Sequence, residues 1–193
     1  MVAVSHALED LVLEFNLQAE IFVTFQEFKF FQAEKERYLK LDQQGCELFI
    51  FCSQIDEGQV TEFENATFIE LATDNPLQKE WDVIVNHPEH PMVLLTKERK
   101  DQQQRSGDDF RVFSGILSFE LQVVEEVLAK LETVLEEFNI DYTPSRYSFG
   151  RYSPAQQQFN QKVSIFLNQA LAELEDKQDY LLQLAQEKAV QEA

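Results

Sequence analysis

The hydrophobic pattern of this 193-residue chain changes its period at Phe119. Before that residue, apolar side chains form short runs separated by turn-forming residues, a pattern typical of buried strands. After it, apolar residues recur at alternating steps of three and four, which is the seam of an amphipathic helix. The seam residues are Leu121, Val124, Leu128, Leu131, Leu135 and Phe138. A chain with both patterns is predicted to fold as a mixed α/β (α+β) domain with a helical tail.

The part before Phe119 predicts a central sheet of about five to six strands flanked by helices. The predicted strands are Ala19–Phe25, Cys46–Cys52, Thr67–Ala72, Glu80–Asn86, Met92–Lys97 and Phe110–Phe119. A first helix is predicted from Ser5, as its N-cap, to about Asn16. A second is predicted from Phe28 to Leu41, and Gly45 is the signal that ends it. Residues 53–65 read as an acidic loop.

The last part of the chain predicts one long amphipathic helix. Ser153 suits the N-cap, Pro154 suits the first helical position, and neither glycine nor proline follows. A helix from 154 to 190 is about 55 Å long, whereas a compact domain of the preceding residues is only about 30–35 Å across. The predicted division is therefore a domain over residues 1–138, a connecting loop over 139–153, and a helix over 154–193.

The apolar seam of this helix needs a partner surface. Its main members are Val163, Leu167, Leu174, Leu181 and Leu184. Either the helix folds back on the Leu121–Phe138 helix as a hairpin, or it forms a coiled coil between subunits. Lys177 and Lys188 lie within the seam, where polar residues weaken a zipper but can also specify its register. Both arrangements stay open, and we expect a homodimer.

Charge and hydropathy exclude several classes of function. The chain carries 35 acidic and 16 basic residues, a formal net charge of −19. Such a field repels the phosphates of nucleic acids, and the best basic run, Lys97–Lys100, is short. No apolar run reaches the roughly 18 residues that a membrane span needs, and the N-terminus lacks a signal peptide pattern. We expect a cytoplasmic protein that neither binds nucleic acid nor inserts into a membrane.

The two cysteines, Cys46 and Cys52, fall on one predicted strand. Six strand positions separate them by about 20 Å on the same face, which is too far for a disulfide within an intact strand. They are interpreted as small core residues in a reducing compartment.

No motif in the sequence indicates catalysis. The spacing of His87 and His90 suggests a metal pair, but Pro88 and Pro91 keep the segment extended, and structural zinc usually needs four nitrogen or sulfur ligands. We interpret this segment as a surface turn and predict no metal site. The chain has five glycines and no glycine-rich phosphate loop. We therefore expect no enzymatic activity and no catalytic residues, and no cofactor is indicated.

Glu80 and Trp81 are the strongest candidates for residues of a binding site. On the predicted strand, Trp81, Val83 and Val85 share one face, and Asp82, Ile84 and Asn86 share the other. Trp81 either anchors the core or lines a ligand pocket together with Glu80. The other predicted pocket residues, from the following strands, are Glu98, Arg99 and Arg111.

A second candidate is the connecting loop, which concentrates aromatic and arginine side chains in an acidic chain. Tyrosine and arginine are the residue types that most often anchor protein interfaces. The predicted partner-binding residues are Arg146, Tyr147, Phe149, Arg151 and Tyr152. The alternative is a linker whose rings simply pack on their own domain.

Five sequence blocks give the chain a family resemblance: Tyr38–Leu41, Glu47–Phe51, Asn75–Trp81, Leu94–Arg99 and Phe110–Phe119. In this order they resemble the DICT domain, a bacterial sensory module found with diguanylate cyclases and two-component systems. The resemblance extends over roughly residues 1–138, and it adds weight to the pocket reading of Glu80 and Trp81. It names no ligand.

The resemblance implies a non-catalytic sensory or regulatory protein that acts through protein–protein contacts in bacterial signal transduction. The family context suggests regulation linked to light or metabolism in phototrophic bacteria. In the family the module usually precedes an output domain, and here we expect only the helical tail, so the expected output is a protein partner. The alternative is a structural or adaptor subunit of a larger, photosynthesis-related assembly that binds no ligand.

Overall fold

The computed structural model describes residues 2–98, 113–140 and 142. These residues form three α-helices and six strands, which we number in chain order. The helices are α1 (Val2–Glu14), α2 (Phe28–Gln43) and α3 (Leu121–Glu137). The strands are β1 (Glu20–Glu27), β2 (Glu47–Ser53), β3 (Ala66–Glu70), β4 (Val83–Asn86), β5 (Met92–Glu98) and β6 (Phe113–Ser118).

The six strands of the described residues form one mixed sheet in the order β3-β2-β1-β4-β5-β6. β1 pairs in parallel with β2, and β2 with β3. α2 provides the crossover that the parallel β1–β2 pair requires. The other half of the sheet is antiparallel, with β4 next to β1, followed by β5 and β6. The predicted mixed α+β architecture with a central sheet is confirmed.

Helices cover both faces of this sheet, because successive strand residues point to opposite sides. α1 and α2 bury one face, where Phe31, Tyr38 and Leu41 pack against Val23 and its neighbours. α3 covers the other face, which contains Phe22 of β1. The buried residues of α3 are Val124, Leu128, Leu131 and Leu135. These four belong to the predicted seam, so the period change at Phe119 marks the real switch from strand to helix.

The cysteines occupy the core on the side of α1 and α2. Cys46 and Cys52 are both fully buried, and neither forms a disulfide. Burial raises the pKa of the Cys46 thiol, and burial together with the Glu70 carboxylate raises the pKa of Cys52 to about 12. The prediction of two small core residues is confirmed.

Each α-helix in the described residues ends in the same way, with one residue in the left-handed region. These residues are Asn16 (φ 51°), Gly45 (φ 91°) and Asn139 (φ 56°). In each case the next amide bonds a carbonyl five residues back: Leu17 to Val12, Cys46 to Leu41 and Ile140 to Leu135. This is the Schellman arrangement, which satisfies the last carbonyls of a helix and suits Gly or Asn. The predicted stop signal at Gly45 is confirmed, and α3 ends where the predicted connecting loop begins.

A buried carboxylate joins α1 to α2. Glu9 is 3% exposed, accepts a hydrogen bond from the Tyr38 hydroxyl (2.6 Å) and pairs with Arg37 Nε (3.3 Å). Burial raises the pKa of Glu9, while Tyr38, Arg37 and His6 act in the opposite direction. Around it, Arg37 also bonds Asp10 and His6 bonds Glu34. The two helices therefore meet through charges as well as through apolar side chains.

The structure corrects two local predictions. Ser5 is not an N-cap: α1 begins at Val2, and Ser5 lies buried within it. Val4 packs on the core, so the apolar face of the helix extends upstream of Ser5. Residue type alone predicts the helix to start at this serine. β4 begins at Val83 rather than Glu80, because side chains replace the backbone ladder at the preceding three residues.

Candidate functional site

The described residues form an open cleft of about 380 Å³ at the corner of the sheet where β4 begins and β5 ends. Its lining includes two acidic residues, one basic residue, a hydroxyl and two apolar side chains. They are Glu80, Asp82, Lys97, Ser114, Leu95 and Ile116. Leu95 packs on the α3 side of the sheet, and Ile116 is its cross-strand partner. The cleft therefore opens on the face that α3 covers elsewhere, and Ile116 is 58% exposed there.

Asp82 holds β5 at the point where the β4–β5 ladder stops. The regular pairing ends at Val83 opposite Leu94. Beyond it, Asp82 Oδ1 accepts the backbone N–H of Thr96 at 2.6 Å. The Thr96 hydroxyl accepts the N–H of Trp81 (3.0 Å) and donates to the Trp81 carbonyl (2.6 Å). The side chains of Asp82 and Thr96 thus replace the backbone hydrogen bonds that join the two strands elsewhere. The Asp82 carboxyl also lines the cleft.

β1 fixes the same segment from the other side. The Thr24 hydroxyl accepts the N–H of Asp82 at 2.7 Å, and the Thr24 N–H donates to the Asp82 carbonyl at 3.1 Å. Gln26 Nε2 donates to the Glu80 carbonyl at 3.3 Å. The β1–β2 register shifts between Thr24 and Glu27, and such irregularities often re-aim side chains next to functional sites. Glu80 and Asp82 are therefore held by neighbours on both strands.

The carboxyl group of Asp82 is almost fully buried, and that of Glu80 lines the same cleft. Asp82 is only 6% exposed, and both residues belong to the lining. Burial raises the pKa of Asp82 to about 7, and Glu80 acts in the same direction, whereas the Thr96 amide opposes both. The cleft thus contains one carboxyl group, that of Asp82, whose pKa lies near neutral pH.

Trp81 lies on the opposite side of the sheet from this cleft. Its ring contacts Phe25 at 5.8 Å between centroids and Phe113 at 6.5 Å, and it packs against the core beneath α1 and α2. The position matches the predicted strand alternation, with Trp81 on the side of Val83 and Val85. In this arrangement the indole packs as an anchor of the core edge.

The other predicted pocket residues are distributed as follows. Glu80 lines the cleft, and Glu98 is half-buried at the end of β5 opposite Phe113. Arg99 and Arg111 lie outside the described residues. So do the predicted partner-binding loop residues Arg146, Tyr147, Phe149, Arg151 and Tyr152, and the predicted seam Val163, Leu167, Leu174, Leu181 and Leu184. Their roles, and the division into residues 1–138, 139–153 and 154–193, stay predictions.

Sequence reasoning did not select Asp82, Thr96 or Thr24. One signal was present, because Asp82 opens an otherwise apolar strand and alternates with Ile84. Ile84 is part of the core beneath α3, so a carboxylate in that alternation had to be buried or to line an opening. The threonines carry no such signal, since their role depends on which strands lie side by side.

The segment from His87 to His90 is a turn between β4 and β5, as predicted. His87 Nδ1 accepts the backbone N–H groups of Glu89 and His90, both at 3.2 Å, so this nitrogen is occupied. Burial, and next the nearby His90, lower the pKa of His87. Across residues 2–98 and 113–142 as far as they are described, no three His, Cys, Asp or Glu side chains are grouped for a metal ion.

Comparison with known proteins places the chain in a family. The DICT family, described as a sensory domain in diguanylate cyclases and two-component systems, matches residues 1–99. No curated protein and no solved structure matches this chain. None of the helices in the described part is both long and apolar enough to cross a membrane. Because the match covers slightly more than half of the 193 residues, this chain belongs to the DICT family of sensory domains.

Proposed function

We propose that this DICT protein is a sensory and regulatory protein of bacterial signal transduction. It detects a small molecule in the cleft of Glu80 and Asp82 and acts on a protein partner without catalysing a reaction. The observation that carries the proposal is the Asp82 carboxyl: it is almost fully buried, it accepts the Thr96 amide, and it lines, together with Glu80, an open cleft of about 380 Å³. A titratable group perturbed in this way within a cleft is a common mark of a functional site.

The cleft is connected to the element that would carry the signal. Ser114, Gly115 and Ile116 of β6 line the cleft, and β6 leads into α3 through a short turn. In that turn the Ser118 hydroxyl accepts the N–H of Glu120 at 3.1 Å. α3 then packs across the sheet, so a ligand that contacts β6 can favour one packing of α3 over another. It does so only if its affinity differs between the two packings.

The output of the proposed mechanism is a protein contact. The loop residues Arg146–Tyr152 are our candidate surface for a partner, and the seam from Val163 to Leu184 is our candidate for homodimerisation. A net charge of −19 disfavours nucleic acid as the partner. We place the protein in the cytoplasm, where reduced buried thiols such as Cys46 and Cys52 are the rule.

The state of the two thiols and of His87 supports the proposal of a non-catalytic protein. Both thiols of the chain are buried with raised pKa values, and a nucleophilic cysteine instead needs a lowered pKa and access. The imidazole of His87 uses Nδ1 to hold its own turn. These groups stabilise the fold rather than a reaction.

The proposal is tested by purifying the full-length protein from its native bacterium and analysing it by native mass spectrometry. We expect a small molecule bound at one per chain, and we expect Asp82→Asn to lose it. Asp74→Asn, at an exposed loop position, is the matched control and should retain the molecule. A stoichiometric protein complex with no small molecule, unchanged by Asp82→Asn, would reject sensing at this cleft in favour of the adaptor role.

A further inference from the structure

We infer that the ligand of the cleft is a small zwitterion of the α-amino acid type. Its ammonium group binds the carboxylates of Glu80 and Asp82, and its carboxylate pairs with Lys97. The inference rests on the proposed sensing role of the cleft and adds the chemical class of the ligand.

The acidic end of the cleft suits an ammonium group. Asp82 Oδ1 is engaged by the Thr96 amide, and the carboxyl groups of Asp82 and Glu80 both line the cleft. An ammonium group offers three N–H donors and a positive charge. It can therefore bond both carboxylates at once through charge-assisted hydrogen bonds.

The basic end of the cleft is supplied by Lys97. This side chain lines the cleft and forms no ion pair with the residues that the structure describes. Lys29 and Lys35, by contrast, are paired with Glu27 and Glu62. The cross-strand partner of Lys97 is Ser114, whose hydroxyl also lines the cleft. A lysine beside a hydroxyl is a suitable site for a carboxylate.

The size and polarity of the cleft narrow the range of possible ligands further. A volume of about 380 Å³ is near the lower limit for small-molecule sites. The side chains of Leu95 and Ile116 supply the apolar part of its wall. A ligand that fits these features has opposite charges a few bonds apart and an aliphatic side chain.

Asp82 links ligand binding to pH. Among the described residues that line the cleft, the charged groups beside Asp82 are Glu80 and Lys97, and Thr24 of β1, which bonds the Asp82 amide, is uncharged. An ammonium ligand favours the ionised form of Asp82 and so displaces its proton into solvent. Binding should therefore release a proton and should tighten as the pH rises through neutrality, where the pKa of Asp82 lies.

Isothermal titration calorimetry with the full-length protein tests the inference. L-Leucine is compared with 3-methylbutylamine, which lacks its carboxylate, and with 4-methylpentanoate, which lacks its ammonium group. We expect leucine to bind at least about tenfold more tightly than either analogue, because each analogue leaves one charged end unpaired. Titrations in two buffers of different ionisation enthalpy should show release of a proton.

Matched variants separate the two ends of the site. Asp82→Asn keeps an oxygen for the Thr96 amide, and it should abolish proton release and weaken leucine at least about tenfold. Lys97→Met should weaken leucine but not 3-methylbutylamine. Lys40→Met, at an exposed position of α2, should change neither.

The outcomes distinguish this inference from the function on which it rests. If either analogue binds as tightly as leucine, the zwitterion is wrong and sensing stands. The same holds if no amino acid binds, while another small molecule from a cell extract binds the wild type and does not bind Asp82→Asn. If nothing binds the wild type, both are wrong.

Discussion

Tyr142 donates a hydrogen bond of 2.6 Å to Glu20, a residue 122 positions earlier in the chain. The same carboxylate oxygen accepts the side-chain N–H of Asn86, also at 2.6 Å. The Tyr142 ring packs edge-on against Phe22 (5.3 Å) and Phe49 (4.9 Å). Glu20 thus ties the start of β1 to the end of β4 and to the chain that follows α3. This contact fixes the position of Tyr142 beside β1 and β4.

Removal of the Tyr142 hydroxyl should destabilise the protein without disturbing its rings. We expect Tyr142→Phe to lower the free energy of unfolding by about 1–2 kcal/mol, because the bond is to a carboxylate. Tyr142→Ala, which also removes the ring contacts, should cost up to about 3 kcal/mol. Urea unfolding measures both. Equal stability of wild type and Tyr142→Phe would show that the bond contributes nothing.

The pairing of Glu9 with Arg37 makes a second prediction. Arg37→Met keeps an unbranched apolar side chain but removes the cation, and it leaves Glu9 buried with Tyr38 as its hydrogen-bond donor. We expect a loss of about 2–3 kcal/mol in urea unfolding, since an unpaired buried carboxylate is costly. The double variant Glu9→Gln with Arg37→Met should recover much of this loss. A double variant no more stable than Arg37→Met would contradict the explanation.

Asp82 should make the stability of the protein depend on pH. The unfolded chain releases this proton near the ordinary pKa of 3.8, whereas the folded protein keeps it until about pH 7. The contribution of Asp82 is therefore complete below the ordinary pKa and is lost as the pH rises through about 7. Asp82→Asn should show a smaller fall in Tm than the wild type between about pH 5 and pH 8.

The pH comparison needs a difference measurement, because burial also raises the pKa values of Glu9 and Glu47. These groups act with the same sign and persist in Asp82→Asn. Asp74→Asn serves as the control and should follow the wild type. If Asp82→Asn and the wild type have parallel pH profiles, Asp82 is not protonated in the folded state.

The thiols should be inert in the folded protein. Cys46 and Cys52 are fully buried, and the pKa of Cys52 is about 12. We expect no reaction with an aromatic disulfide reagent at neutral pH, and rapid reaction of both thiols after unfolding in guanidinium chloride. Fast labelling of Cys52 under native conditions would show that the strand β2 opens locally.

Features with a local cause were predictable from the sequence. The seam of α3 follows from its spacing, and Gly45 follows from the need for a left-handed residue after α2. Ser5 shows the limit of this reasoning, because residue type favoured a cap while Val4 continued the apolar face upstream. The strand order was not predictable, since nothing local tells β1 to pair with β4 rather than with a nearer strand.

The site was only partly predictable for the same reason. Glu80 was selected because it neighbours the single tryptophan, and it lines the cleft. Asp82 was passed over because its partners lie far away in sequence: Thr96 is 14 residues and Thr24 is 58 residues distant. Such bonds between a side chain and a remote backbone group leave no periodic trace. They become visible only when three strands are placed side by side.

The packing of α3 has a consequence for where this protein can be cut. The family match stops at residue 99, yet α3, which lies beyond it, covers Phe22, Phe49 and Val93, and β6, also beyond it, pairs with β5. A recombinant fragment that stopped there would leave this apolar face in water and would give β5 a bare edge, a combination that favours aggregation. The stretch that the family shares is thus shorter than the piece of chain that has to fold together.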